Sequence, residues 1–90
     1  MKEMNLLIKE LIASNIPFEI WPFIVMGKPT FQICFPSKEN CLVDAVSHEG
    51  SYGGPKGLIE VLGSVNSDYP NDDVVGWLTA KEAVNYFIIK

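Results

Sequence analysis

Three apolar runs separated by short breaks, all within residues 18–47, constrain this chain most. They are FEIWPFIVM over 18–26, TFQICF over 30–35 and CLVDAVS over 41–47. Each has the length of a strand rather than a helix, and the breaks Gly27-Lys28-Pro29 and Pro36 to Asn40 are turn-forming sequence. Breaks this short cannot carry a crossover, so consecutive strands must run antiparallel. The second run alternates cleanly, with Phe31, Ile33 and Phe35 on one face and Thr30, Gln32 and Cys34 on the other. In the first run, Pro22 lacks a donor and belongs on an edge strand or at a bulge. A bulge there would put Phe18 and Ile20 on the face of Phe23 and Val25.

The register of the second pair follows from charge. Cys41, Val43 and Ala45 form an uncharged face, whereas the alternate set contains Asp44. This predicts Phe35 opposite Cys41 and Ile33 opposite Val43, with Cys34 on the other face. On that register the two cysteines do not meet, and Cys41 is a core residue. A slip of one residue would reverse the assignment.

Helical patterning flanks the sheet. Met4, Leu7, Ile8 and Leu11 recur at helical spacing within residues 2–14, and Ile12 widens the stripe. Asn15 can take the left-handed conformation that closes a helix, and Pro17 biases Ile16 toward an extended one. Residues 58–62, LIEVL, read as a short helix closed by Gly63. Thr79-Ala80-Lys81-Glu82 is a capping box that opens a last helix over about 80–89. The predicted fold is α+β: a two-layer sandwich with a three-stranded antiparallel meander, an N-terminal helix, a short helix and a C-terminal helix. Helices must cover the apolar face of such a sheet. Ninety residues with no repeat and no linker make a single domain, 1–90.

Charge narrows the function classes. The seven Lys are scattered and Arg is absent, while Asp and Glu number eleven. Nucleic-acid binding needs clustered cations to displace counterions, and Arg is the usual bidentate reader of guanine. Direct nucleic-acid binding is therefore not expected. No stretch reaches the ~20 apolar residues of a membrane span. The first apolar stretch, Leu6 to Ile8, is cut at once by Lys9-Glu10, unlike a secretory leader. The expectation is a cytoplasmic protein. Two cysteines are too few for a disulfide scaffold and, without further ligands, for a zinc site. No cofactor or metal is expected.

Two loops hold the remaining candidates. Residues 47–57, SHEGSYGGPKG, contain four glycines and a proline, with His48, Glu49, Ser51, Tyr52, Gly53, Gly54 and Lys56 as candidate ligand or partner residues. Backbone amides there could cradle an anion beside Lys56. The spacing departs from the phosphate-loop pattern, since no Ser or Thr follows Lys56. The simpler reading is a tight connection whose glycines supply positive φ. His48, Glu49 and Ser51 are neighbours in sequence, whereas catalytic triads draw on separate elements; no catalytic set is assigned. The second loop crowds Asp68, Asp72 and Asp73 around Tyr69-Pro70-Asn71. It lacks the calcium-loop pattern and reads as a solvated acidic turn. Trp21, Tyr69 and Trp77 are candidate aromatic contacts. Burial is the default for a Trp, and exposure beside Tyr52 or Tyr69 would mark a protein contact.

SHEGSYGGPKGLIEVLG followed by DDVVGWLTAKEAVNYF resembles small uncharacterised proteins of Gram-positive bacteria and their phages. The resemblance covers roughly the second half and more loosely the helix-plus-hairpin start. It implies a phage or prophage context and assigns no activity or residue roles. The leading expectation is a small accessory protein, not an enzyme, that acts through an unknown protein partner. An edge strand of the sheet also suits homodimer formation. One alternative is a small ligand-binding or catalytic domain built on residues 47–57. Another is an inhibitor whose acids, Glu49, Glu60, Asp68, Asp72, Asp73 and Glu82, imitate nucleic acid.

Overall fold

The structure, a computed structural model, describes residues 1–90 and shows an α+β fold. Helix α1 spans Lys2–Ala13, followed by strands β1 (Glu19–Val25), β2 (Lys28–Pro36) and β3 (Cys41–Val46). A 3-10 turn at Gly54–Lys56 precedes β4 (Ile59–Leu62) and β5 (Val74–Leu78). Helix α2 (Ala80–Ala83) runs directly into a second 3-10 turn, Val84–Phe87. The strands form one antiparallel sheet in the order β1-β2-β3-β4-β5.

The three-stranded meander is thus the first three strands of five. Residues 59–62 are a strand, not a helix. Ile59 and Val61 are fully buried and alternate with the less buried Glu60 and Leu62, a period-two pattern. Within five residues that pattern overlaps a helical stripe, and pairing with β3 and β5 decides between them. Val74 and Val75 begin β5. The last helix is shorter than expected: one α turn and one 3-10 turn, ending at Phe87. Its capping box is present, with Thr79 accepting from Glu82 N–H and Glu82 accepting from Thr79 N–H.

Pairing aligns one apolar row across the whole sheet: Ile20, Ile33, Ala45, Val61 and Val75. Against this face pack Met4, Leu7 and Leu11 of α1 with Ala80, Ala83, Val84 and Phe87. Phe35 meets Phe87 edge to face at 6.3 Å between centroids. The Glu3 carboxylate of α1 accepts from the Ala80 N–H at 2.8 Å, tying the first turn of α1 to the start of α2. Asn15 adopts φ +56 just past α1. Ile12 is largely exposed, so the core stripe of α1 is narrower than its sequence suggests.

Two register findings revise the sequence reading. β1 pairs with β2 without interruption from Glu19 to Val25, so Pro22 makes no bulge and sits on the edge strand. Ile20, Pro22 and Ile24 therefore share a face, and Trp21, Phe23 and Val25 take the other. Between β2 and β3, Phe35 pairs with Val43 and Ile33 with Ala45, while a bulge sets Cys41 opposite Pro36. Val43 and Ala45 keep the expected core face. Cys41 does not, because the extra residue at Leu42 flips it to the face of Cys34.

Candidate functional site

The helices cover only one face of the sheet. The opposite face carries a second cross-strand row, Glu19, Cys34, Asp44, Leu62 and Val74. Trp21 and Phe23 of β1 lie on the same face. Trp21 is 49% exposed, and Leu42, Leu62 and Val74 are exposed as well. The turn after β2 folds toward this row. Lys38 N–H donates to Glu19 at 2.9 Å, and its ammonium donates to the Gln32 amide oxygen at 3.1 Å. That ammonium also sits 5.5 Å from the centre of the Trp21 ring. Asp44 is half-covered here, and burial, more than nearby Glu60, pushes its carboxyl above the usual range. Leu42, Leu62, Val74 and Lys38 escape a sequence reading, because only the five-strand register sets them on one surface.

Residues 47–57 close one end of this sheet. Their turn is held by Ser51, which is buried. Its hydroxyl donates to the His48 carbonyl at 2.9 Å and accepts from the His48 N–H at 2.9 Å. Ser51 therefore addresses the His48 backbone and not its ring. The His48 Nδ1 accepts from the Gly50 N–H at 3.0 Å, which places the ring proton of the neutral form on Nε2. The ring meets Phe23 edge-on at 5.7 Å. Glu49 pairs with Lys28 at 2.8 Å. Their mutual hydrogen bond lowers the Glu49 carboxyl and raises the Lys28 ammonium.

Between this loop and the tip of the β1–β2 hairpin lies an open cleft of about 540 Å³, lined by Met26, Lys28, Thr30, His48, Glu49 and Pro55 among others. Of the candidate loop residues, His48, Glu49 and Gly54 line it, whereas Ser51, Tyr52, Gly53 and Lys56 do not. Most of the loop amides are spent internally. The N–H groups of Gly54, Lys56, Gly57 and Leu58 donate to backbone carbonyls, and that of Tyr52 donates to Glu60. An anion cradle would need those amides free.

Tyr52 and Trp77 meet through their backbones. The Trp77 N–H donates to the Tyr52 carbonyl at 3.2 Å, and a Cβ on Gly76 would collide with Tyr52. Trp77 occupies an irregularity in the β4–β5 pairing at φ +61 and is 60% exposed, as is Tyr52. Tyr69 is different: it packs on the core edge, 4.7 Å from Tyr86 between ring centroids.

Asn66 organises the second loop, a role that its sequence neighbourhood does not single out. Its side chain donates to the Asn85 carbonyl and accepts from the Asp68 N–H, an Asx turn. Asp68 forms an ion pair with Lys90. Asp72 and Asp73 are exposed, and no cluster of three or more metal-ligating side chains occurs. The acids considered for nucleic-acid mimicry are partly engaged elsewhere: Glu49 by Lys28, Asp68 by Lys90 and Glu82 by Thr79. No helix is long and apolar enough to cross a membrane. Compared with known proteins, the chain matches no family model, no curated protein and no solved structure.

Proposed function

We propose that the chain is an accessory protein, of phage or prophage context as its resemblance implies, that acts by binding another protein through the uncovered face of its sheet. The observation that carries this reading is the exposure of large apolar side chains on that face. Trp21, Leu42, Leu62 and Val74 are all more than two-fifths exposed, and the equally prominent Trp77 of β5 and Tyr52 meet through their backbones at the β5 edge of the sheet. Exposed apolar surface of this kind, edged by polar groups, characterises binding surfaces, and Trp and Tyr are the side chains that most often anchor them. Glu19, Lys38 and Glu60 supply polar groups around it, and the half-covered Asp44 lies within it on the central strand.

The test is capture from host lysate with the wild-type chain, Trp21→Ala with Trp77→Ala, and His48→Ala. A specific partner retained by His48→Ala and lost by the double Trp variant supports the reading, provided circular dichroism shows both folded. Loss of an interface anchor costs about 2 kcal/mol or more, roughly thirty-fold in affinity. Capture unaffected by both Trp changes overturns it. The 540 Å³ cleft favours a second reading, a small-molecule site at His48. A co-purifying small molecule released by His48→Ala would establish that one. Homodimer formation through a sheet edge predicts concentration-dependent mass in light scattering, and a strict monomer removes it.

A further inference from the structure

The β2–β3 bulge has a chemical consequence. Across an antiparallel pair, Cys34 faces Asp44 and Cys41 faces Pro36. Residues 34 and 36 share a face, so the two cysteines are diagonal neighbours on the uncovered side of the sheet. The two side chains are close enough that the Cys41 thiol is among the groups that raise the Cys34 thiol. Neither is in a disulfide in this structure. Their surroundings are unequal: Cys41 is exposed, whereas Cys34 is fully covered. The Cys41 thiol also donates to the Val43 carbonyl at 3.4 Å, within its own strand.

We infer that Cys41 and Cys34 form a thiol–disulfide exchange site, which takes a low-molecular-weight disulfide at Cys41 and closes to an internal Cys34–Cys41 bond. In the first step the Cys41 thiolate attacks one sulfur of the small disulfide. A Cys41–small-thiol mixed disulfide forms, and one small thiolate leaves and takes up a proton. In the second step the Cys34 sulfur loses its proton to solvent and attacks the Cys41 sulfur. The second small thiol leaves, and the protein disulfide forms. In sum, two protein thiols are oxidised by two electrons and one small disulfide is reduced to two thiols.

The asymmetry orders the steps. Exposure makes Cys41 the entry point. Cys34 is held as the thiol in the resting state: burial first, and then its contact with Cys41, push it up to about 12. Among the charges nearby, the Lys38 ammonium favours a Cys34 thiolate and the Asp44 carboxylate opposes it. The first step therefore falls to Cys41, and the second to Cys34. This site is independent of which partner the sheet face receives, although it lies on that face.

The experiment incubates the reduced chain with glutathione disulfide and follows intact mass and free thiols for the wild type, Cys34→Ser and Cys41→Ser. The wild type ends lighter by two hydrogens, with no free thiol and no lasting glutathione adduct. Trypsin cuts after Lys38, between the cysteines, so the two resulting peptides stay joined until reduced. Cys34→Ser stops at one adduct on Cys41. Cys41→Ser reacts more slowly by at least about ten-fold, because its remaining thiol is covered and protonated. A wild type that stops at a stable adduct, or that forms disulfide-linked dimers, overturns the inference. Native alkylation of the wild type needs no folded variant: Cys41 labels first and Cys34 only on unfolding, and equal labelling rates also overturn it.

Discussion

Gly54→Ala is a sharp test of how residues 47–57 are built. Judged by backbone angle alone, Gly57 is the demanding glycine, since it sits at φ +76, whereas Gly54 has no such need. Space reverses the order. Around Gly57 nothing lies within 4 Å of the point where a methyl group would sit, so Ala there incurs only the left-handed backbone penalty of about 1–2 kcal/mol. Reduced freedom of the unfolded chain offsets part of that by about 0.4–1 kcal/mol. A Cβ on Gly54 would fall on the His48 carbonyl oxygen and the Ser51 hydroxyl, far inside the 3.0 Å that real Cβ atoms keep. Backbone cannot yield as a flexible side chain can. The turn must open, breaking the Ser51 N–H and hydroxyl bonds to the His48 carbonyl and the His48 N–H bond to Ser51. At about 1 kcal/mol each, with a buried hydroxyl left unpaired, the cost is about 3–4 kcal/mol. A chain of this length holds about 5–13 kcal/mol in total. With a urea slope of about 1.5 kcal/mol per M, the midpoint falls by about 2 M for Gly54→Ala and by less than about 1 M for Gly57→Ala. Equal shifts, or a larger one for Gly57→Ala, would refute the reasoning that close packing rather than backbone angle dictates Gly54.

Glu3→Ala is expected to lower stability by about 1 kcal/mol in urea denaturation, because it strips the acceptor from the Ala80 N–H; Glu3→Gln retains an acceptor and loses less. Thr79→Ala removes one half of the capping box and costs about 1 kcal/mol by the same measurement. Glu82 is held below its ordinary range, chiefly by the Thr79 N–H, so its contribution is present above the usual glutamate range and lost as pH falls through the lowered value. Stability against pH should therefore flatten on the acid side in Glu82→Gln. Asp44 has the opposite sign: burial raises it, so its charged form opposes folding at neutral pH and protonation relieves this. Asp44→Asn should stabilise at pH 7, and the gain should shrink as pH falls through the raised Asp44 range.

Much of the fold is legible in the sequence because it depends on local rules. Turn residues separate the first three strands, alternation marks Phe31, Ile33 and Phe35, and Thr79 with Glu82 announces a helix start. LIEVL reads as a helix but folds as a strand, because five residues satisfy both periods. Its partners, β3 and β5, are supplied by the tertiary fold, and their hydrogen bonds choose the strand. The candidate site is legible in its residue types but not in its grouping. His48 and Glu49 do share a cleft, yet that cleft is completed by Lys28 and Thr30 from another hairpin. Trp21 and Trp77 stand out as candidates by residue type, but exposure is a property of what covers a residue, and no local rule reports that.

The sequence by itself determined an antiparallel meander with an apolar face, a helix to cover it, and a capped helical turn near the end, because short turns, side-chain alternation and capping act within a few residues. Only the tertiary structure decided that five strands join, that one face stays uncovered, and that Cys41 turns to meet Cys34. Each of these depends on register, and a single extra residue at Leu42 changes the face a side chain occupies.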